Sequence, residues 1–277
     1  MKRTSKAMWL VSALVLLSGC GSGMRNLHPL SDPPSGPPTG PPNQSQNIAS
    51  NWQFTTASTV SGGIPPATIA GSIIQSGSSI TSAIHVDGWG CFDQRTTISL
   101  SGTLTDGNFS MASASVDGQT LTFAGSINKK NGFPYTLAGT YAINGGCADG
   151  YQGTVIGVGV DSLKGYWAGN LTTEGGGTIH WDTQFAQGSA SSEGSFGLSG
   201  TFAFDDSCLQ SGTITPGAFP SASFIMGRSV NLEIKTDNGT ITFRGTADPD
   251  GLIRGNYTVS GGPCEPSGTG YLSPWEY

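Results

Sequence analysis

Apolar and polar residues alternate with a period of two along almost the whole chain beyond residue 50, and clusters of Gly, Asp and Asn interrupt the alternation at short intervals. That pattern puts one face of each segment against a core and the other toward water, which is the signature of half-buried strands. In the first half it predicts strands over 51–57, 68–75, 79–86, 95–104, 108–115, 119–126, 134–143 and 151–158. The turns have fitting residues: Asp106-Gly107 and Asp117-Gly118 there, Asn238-Gly239 and Asp248-Pro249-Asp250-Gly251 in the second half. No segment has a convincing helical period. Consecutive strands with hairpin-length links predict an all-β chain of antiparallel meanders, closed as small barrels or folded into sandwiches.

The cysteines divide the pattern into two copies. Cys91 and Cys147 are 56 residues apart, as are Cys208 and Cys264, and the second pair repeats the first at an offset of 117. Leu121-Thr122-Phe123-Ala124-Gly125 matches Ile241-Thr242-Phe243-Arg244-Gly245, and Gly139-Thr140-Tyr141 matches Gly255-Asn256-Tyr257. Trp52 opens the first copy and Trp167 the second. The reading is two tandem homologous domains of about eight strands each, 51–160 and 161–277. Four cysteines allow three pairings, and duplication selects Cys91 with Cys147 and Cys208 with Cys264, because each copy folds as its ancestor did. A loop of that length contributes about 4 kcal/mol in the chain-entropy model. Neither a paired C-x-x-C nor a nearby His cluster supports a metal site.

The first residues change the setting of these domains. Lys2, Arg3 and Lys6 precede an apolar run from Ala7 to Leu17, too short to span a bilayer, so residues 1–19 read as a secretory signal. The run ends in Leu17-Ser18-Gly19-Cys20, which resembles the lipobox of bacterial lipoproteins. The resemblance implies cleavage before Cys20, a diacylglyceryl thioether on its sulfur and acylation of the new amine. Gly21, in place of the Asp common in inner-membrane members, implies the outer membrane. Residues 20–50 form the lipidated cysteine and a tether in which Pro33, Pro34, Pro37, Pro38, Pro41 and Pro42 favour extended polyproline II. At ~3.1 Å per residue such a tether reaches up to roughly 90 Å from the lipid.

Charge excludes one class of partner. Removing the signal takes three of the twelve Lys and Arg and none of the eighteen Asp and Glu. The mature chain is therefore strongly acidic, and a nucleic-acid partner is not expected. Membrane contact is expected through the acyl chains alone.

Candidate chemistry is sparse. His85 and His180 have no second histidine at ligand spacing and read as structural or surface residues. The best carboxylate cluster for glycoside hydrolysis is Asp87 and Asp93 around Trp89, echoed by Asp205 and Asp206, yet acids in this chain mostly occupy turns. Neither a nucleophile elbow nor a phosphate loop occurs. Trp52 and Trp167, duplicated at one register, read as core. Trp89 lies between two glycines in a loop without an aromatic counterpart in the second copy. The loop Asp87, Trp89 and Asp93 is therefore the candidate binding loop, with packing on the disulfide as the alternative for Trp89. Gly165-Tyr166-Trp167 on a first strand resembles the G-x-W that opens calycin barrels, which favours a barrel and implies no ligand.

The sequence thus predicts a non-enzymatic envelope lipoprotein without cofactor or metal, a structural or binding module for a small-molecule, glycan or protein ligand. A carrier of a small apolar ligand inside a barrel stands second and an envelope glycoside hydrolase third.

Overall fold

The computed structural model describes residues 47–86, 89–92, 96–128, 134–264 and 267–275. Eight strands make the first barrel: β1 (Ser50–Ser58), β2 (Ala67–Ser76), β3 (Ser79–Val86), β4 (Thr96–Thr105), β5 (Asn108–Ser113), β6 (Thr120–Asn128), β7 (Thr136–Asn144) and β8 (Gln152–Val160). Each pairs antiparallel with the next, and β8 returns to β1 with Trp52 opposite Gly159, which closes the ring. The meander is a barrel and not a sandwich. Asp106-Gly107 and Asp117-Gly118 turn two of the hairpins with positive φ at both residues, the backbone that two-residue links between twisted strands require.

The second barrel repeats this ring with β9 (Gly165–Thr173), β10 (Thr178–Ala190), β11 (Phe196–Phe204), β12 (Ser211–Ile214), β13 (Phe224–Met226), β14 (Ser229–Thr236), β15 (Gly239–Ala247), β16 (Ile253–Ser260) and β17 (Ser267–Pro274). Here β17 pairs with β9 and β10 with β11. The extra segment is a split strand. Both β12 and β13 lie between β11 and β14, pairing with opposite ends of each, and residues 215–223 leave the wall between them. The β14–β15 turn differs by one position from the sequence reading: Thr236 pairs with Gly239, so Asp237 and Asn238 are the linking residues.

Equivalent positions play equivalent parts. Phe123 faces Tyr141 across β6 and β7, as Phe243 faces Tyr257 across β15 and β16. The Trp52 and Trp167 indoles donate to the carbonyls of Ile48 and Lys164, each just before its strand. Disulfides join Cys91 to Cys147 and Cys208 to Cys264.

Both interiors are filled. Trp52, Phe54, Phe123 and Tyr141 are buried in the first, and Trp181, Phe202, Phe243 and Tyr257 in the second. Wide rings fit because glycines stand beside them: Trp52 lies between Gly71 and Gly159, Phe54 opposite Gly157, Trp181 opposite Gly169 and Tyr257 opposite Gly268. Large residues stand beside small ones across the wall, the alternation by which a core is filled. Burial pushes the Tyr141 phenol above its ordinary value, as a dry interior should. Among the described residues no helix is long and apolar enough to cross a membrane.

Candidate functional site

The barrels are docked through polar groups. On the outer face of β1, the Asn51 amide donates to the Gly227 carbonyl at 2.7 Å and accepts from the Gly227 N–H at 2.6 Å, with Asn51 buried. Beside it the Arg228 N–H donates to Gln53 Oε1 at 3.0 Å, and Thr97 Oγ1 donates to the Glu193 carboxylate. Gly227 turns the β13–β14 hairpin at φ +55, where an added Cβ would fall 2.7 Å from Ala70 Cβ. A glycine at this tip lets the second barrel press against the wall of the first.

This docking creates one end of a groove. The segment that leaves the wall between β12 and β13 carries Phe219 to the first barrel, where its ring centroid lies 4.4 Å from that of His85. Phe219, Pro220 and His85 wall a cavity of 680 Å³ whose floor is the outer face of β14, β15 and β16. A second cavity of 460 Å³ continues across β17 to β9 and shares Arg254, Gly255 and Asn256 with the first. Asn231, Arg244, Thr246, Asn256, Thr269 and Tyr271 line the two, so the wall offers amides, hydroxyls, guanidinium groups and aromatic rings.

The groove follows a row of glycines. Gly245, Gly255 and Gly270 stand opposite one another on three adjacent strands. An added Cβ would meet the Phe243 ring from Gly245 and Leu171 from Gly270, each at 2.6 Å. Along this row no inward side chain holds the wall off the core, and the outer surface sinks.

Charge in the groove is uneven. Arg254 is bonded to Asp248 and, at 2.8 Å, to Asp250, and this guanidinium holds the Asp250 carboxyl below its ordinary value. Arg244 and Asn256 are directly paired across β15 and β16. Neither side chain has a hydrogen bond or ion pair among the described residues. Tyr271 is 40% exposed, and its hydroxyl accepts from Asn170 at 3.2 Å. On the same outer wall Tyr166 and Trp275 are 50% and 54% exposed.

Of the described residues singled out in the sequence, His85 alone reaches the groove. Trp89, expected as an exposed aromatic face, is 2% exposed, with its ring 5.0 Å from Tyr141 and 6.3 Å from Phe92. Burying that ring removes a large apolar area from water, and Gly90, at φ +67, lets the loop turn beside it. The second barrel needs no such plug, since it carries Trp181 on its wall at the register of Ile69. Asp87, Asp93 and Cys20 lie outside the described residues. Asp206 accepts from the backbone of Cys208 and Leu209, a turn-forming role. His180 is exposed between Asn170 and Asp182, and His85 lines the groove. Sequence reasoning passed over Arg244, Asn256 and Tyr271, although Arg244 stands against Ala124 in the matched segments and that asymmetry was visible.

The chain matches no protein-family model and no curated protein. Among solved structures it is similar to a Nitrosomonas europaea protein carrying a provisional AttH assignment, at 13% identity and a TM-score of 0.26, over 81% of this chain and 91% of that one.

Proposed function

We propose that this chain is a lipid-anchored binding module of the cell envelope. Cys20 holds it to the outer membrane, residues 20–50 space it from the lipid, and the two docked barrels present the groove on the outer wall of the second. The observation that supports this reading is the contrast between inside and outside. Both interiors are packed with buried rings, while the concave and polar-lined space lies on the outer wall. A carrier of a small apolar ligand needs an open apolar cavity within a barrel, and the space where such a ligand would sit is taken by Phe54, Phe123, Phe202 and Phe243. The groove's amides, hydroxyls and guanidinium groups suit recognition of a polar ligand. Disulfides in both barrels fit an oxidising compartment outside the cytoplasm.

Native mass spectrometry on protein purified from its own envelope tests the reading. A retained ligand that is lost from Arg244→Gln and kept by an outer-face variant of the first barrel, Thr140→Ala, supports it. A retained apolar ligand indifferent to Arg244 returns the barrel carrier to first place.

A further inference from the structure

We infer that the groove on the second barrel holds a stretch of an anionic polysaccharide, with sugar faces on Tyr271 and on the Phe219–Pro220 wall and a carboxylate of the polymer at Arg244. This rests on the binding-module reading and adds the class of ligand. Length comes first. From β14 to β9 the groove crosses five strands, which at ~4.8 Å per spacing is roughly 19 Å. That is the footprint of a short run of linked units and not of one small molecule.

The lining then selects among polymers. An extended peptide is usually taken up by strand addition, which needs an open sheet edge, and both barrels here are closed. Nucleic acid calls for a row of cations along its phosphates, and among the described residues the groove offers one uncompensated guanidinium, that of Arg244. An acyl chain calls for an apolar floor, and the floor here is Asn231, Arg244, Thr246 and Asn256. A pyranose has an apolar C–H face and a rim of hydroxyls. The exposed ring of Tyr271 and the half-buried Phe219 beside Pro220 serve the first, and planar amides, each both donor and acceptor, serve the second. The glycine row keeps the floor low between them, so a linear chain lies across the strands.

The charge follows from Arg244. Arg254 is already compensated by Asp248 and Asp250, whereas Arg244 lines the first cavity without a counter-ion among the described residues. In an acidic molecule such a cation marks where an anion is received, and a guanidinium binds a carboxylate through two parallel hydrogen bonds. The first barrel provides the internal comparison. At the registers of Arg244, Asn256 and Tyr271 it carries Ala124, Thr140 and Ile156, so its wall lacks the cation, the amide and the ring.

The test uses the full chain with three probes: purified peptidoglycan sacculi, soluble polygalacturonate and neutral dextran. We expect cosedimentation with sacculi or retardation in polygalacturonate gels, weakened by added salt, and no retention by dextran. Arg244→Gln and Tyr271→Ala should each weaken binding by about tenfold or more, while Tyr271→Phe, which keeps the ring, should retain it. Sacculi alone point to the cell wall as the source and polygalacturonate alone to an exopolysaccharide. Equal binding to dextran, binding indifferent to both substitutions in protein with an unchanged circular dichroism spectrum, or binding to none of the probes overturns the inference. A protein or lipid retained from the envelope and lost from Arg244→Gln also overturns it, yet leaves the binding-module reading standing.

Discussion

Asn51 offers the sharpest check on whether the barrels are one body or two beads. It sits on the outward face of a strand, where a barrel on its own would leave it in water. In the docked pair it is 1% exposed, and its amide satisfies both the N–H and the carbonyl of Gly227. Asn51→Ala removes both partners at once. Each buried group left without a hydrogen bond costs about 1–3 kcal/mol, so the substitution should cost roughly 2–6 kcal/mol in total. A loss of that size lowers the midpoint of thermal unfolding by roughly 4–24 °C for a body of this length. It should also divide the transition, because the interface couples two otherwise complete cores. Differential scanning calorimetry reads both effects, and urea titration of the same variant supplies the free energy. A change within about 0.5 kcal/mol, the usual range for an exposed position, would mean that water reaches this site and that the docking argument is wrong.

Four further outcomes follow from the same structure. Trp89→Ala should destabilise the first barrel by about 3–5 kcal/mol without weakening capture of a ligand, and the reverse result by thermal melt and pull-down would restore the loop as a binding element. Cys20→Ser should move the protein from the membrane to the soluble fraction or leave its signal uncleaved; continued membrane fractionation with a processed N-terminus would remove the lipid anchor. Replacing Cys91 and Cys147 together by Ala should cost the first barrel about 4 kcal/mol and leave the second barrel's core intact, as followed by hydrogen exchange. The Asp250 carboxyl should titrate below its ordinary 3.8, so its link to Arg254 is present above that pH and is lost as pH falls through the lower folded value. Arg254→Gln should return its midpoint toward 3.8 by carbon-detected NMR.

Much of the fold was written in local pattern. The period-two alternation located the strands of the first barrel to within a residue or two, since facing a core on one side forces that alternation. The Asp-Gly pairs marked turns because their backbone needs positive φ. Equal cysteine spacings gave the disulfides, since a duplicated sequence repeats its pairing. The split between β12 and β13 was less legible. Thr215-Pro216-Gly217-Ala218-Phe219-Pro220 reads as a turn cluster, and only the pairing of both flanks with β11 and β14 makes it an excursion from one strand.

The groove was out of reach for a related reason. Asn170 and Tyr271 are cross-strand partners only because β17 closes onto β9, and His85 meets Phe219 only because the barrels dock through Asn51 and Gly227. Periodicity says which residues face outward, and it is silent on which outward residues become neighbours. Trp89 shows the same limit from the other side. Its loop and flanking glycines fitted an exposed face, and the direction of the ring was decided by space beside Tyr141 that only the closed barrel creates. Sequence determined the strands, their inward faces and the covalent links, because those depend on local geometry and on duplication. The tertiary structure decided the ring closure, the docking and the groove, because those depend on contacts between residues far apart in the chain.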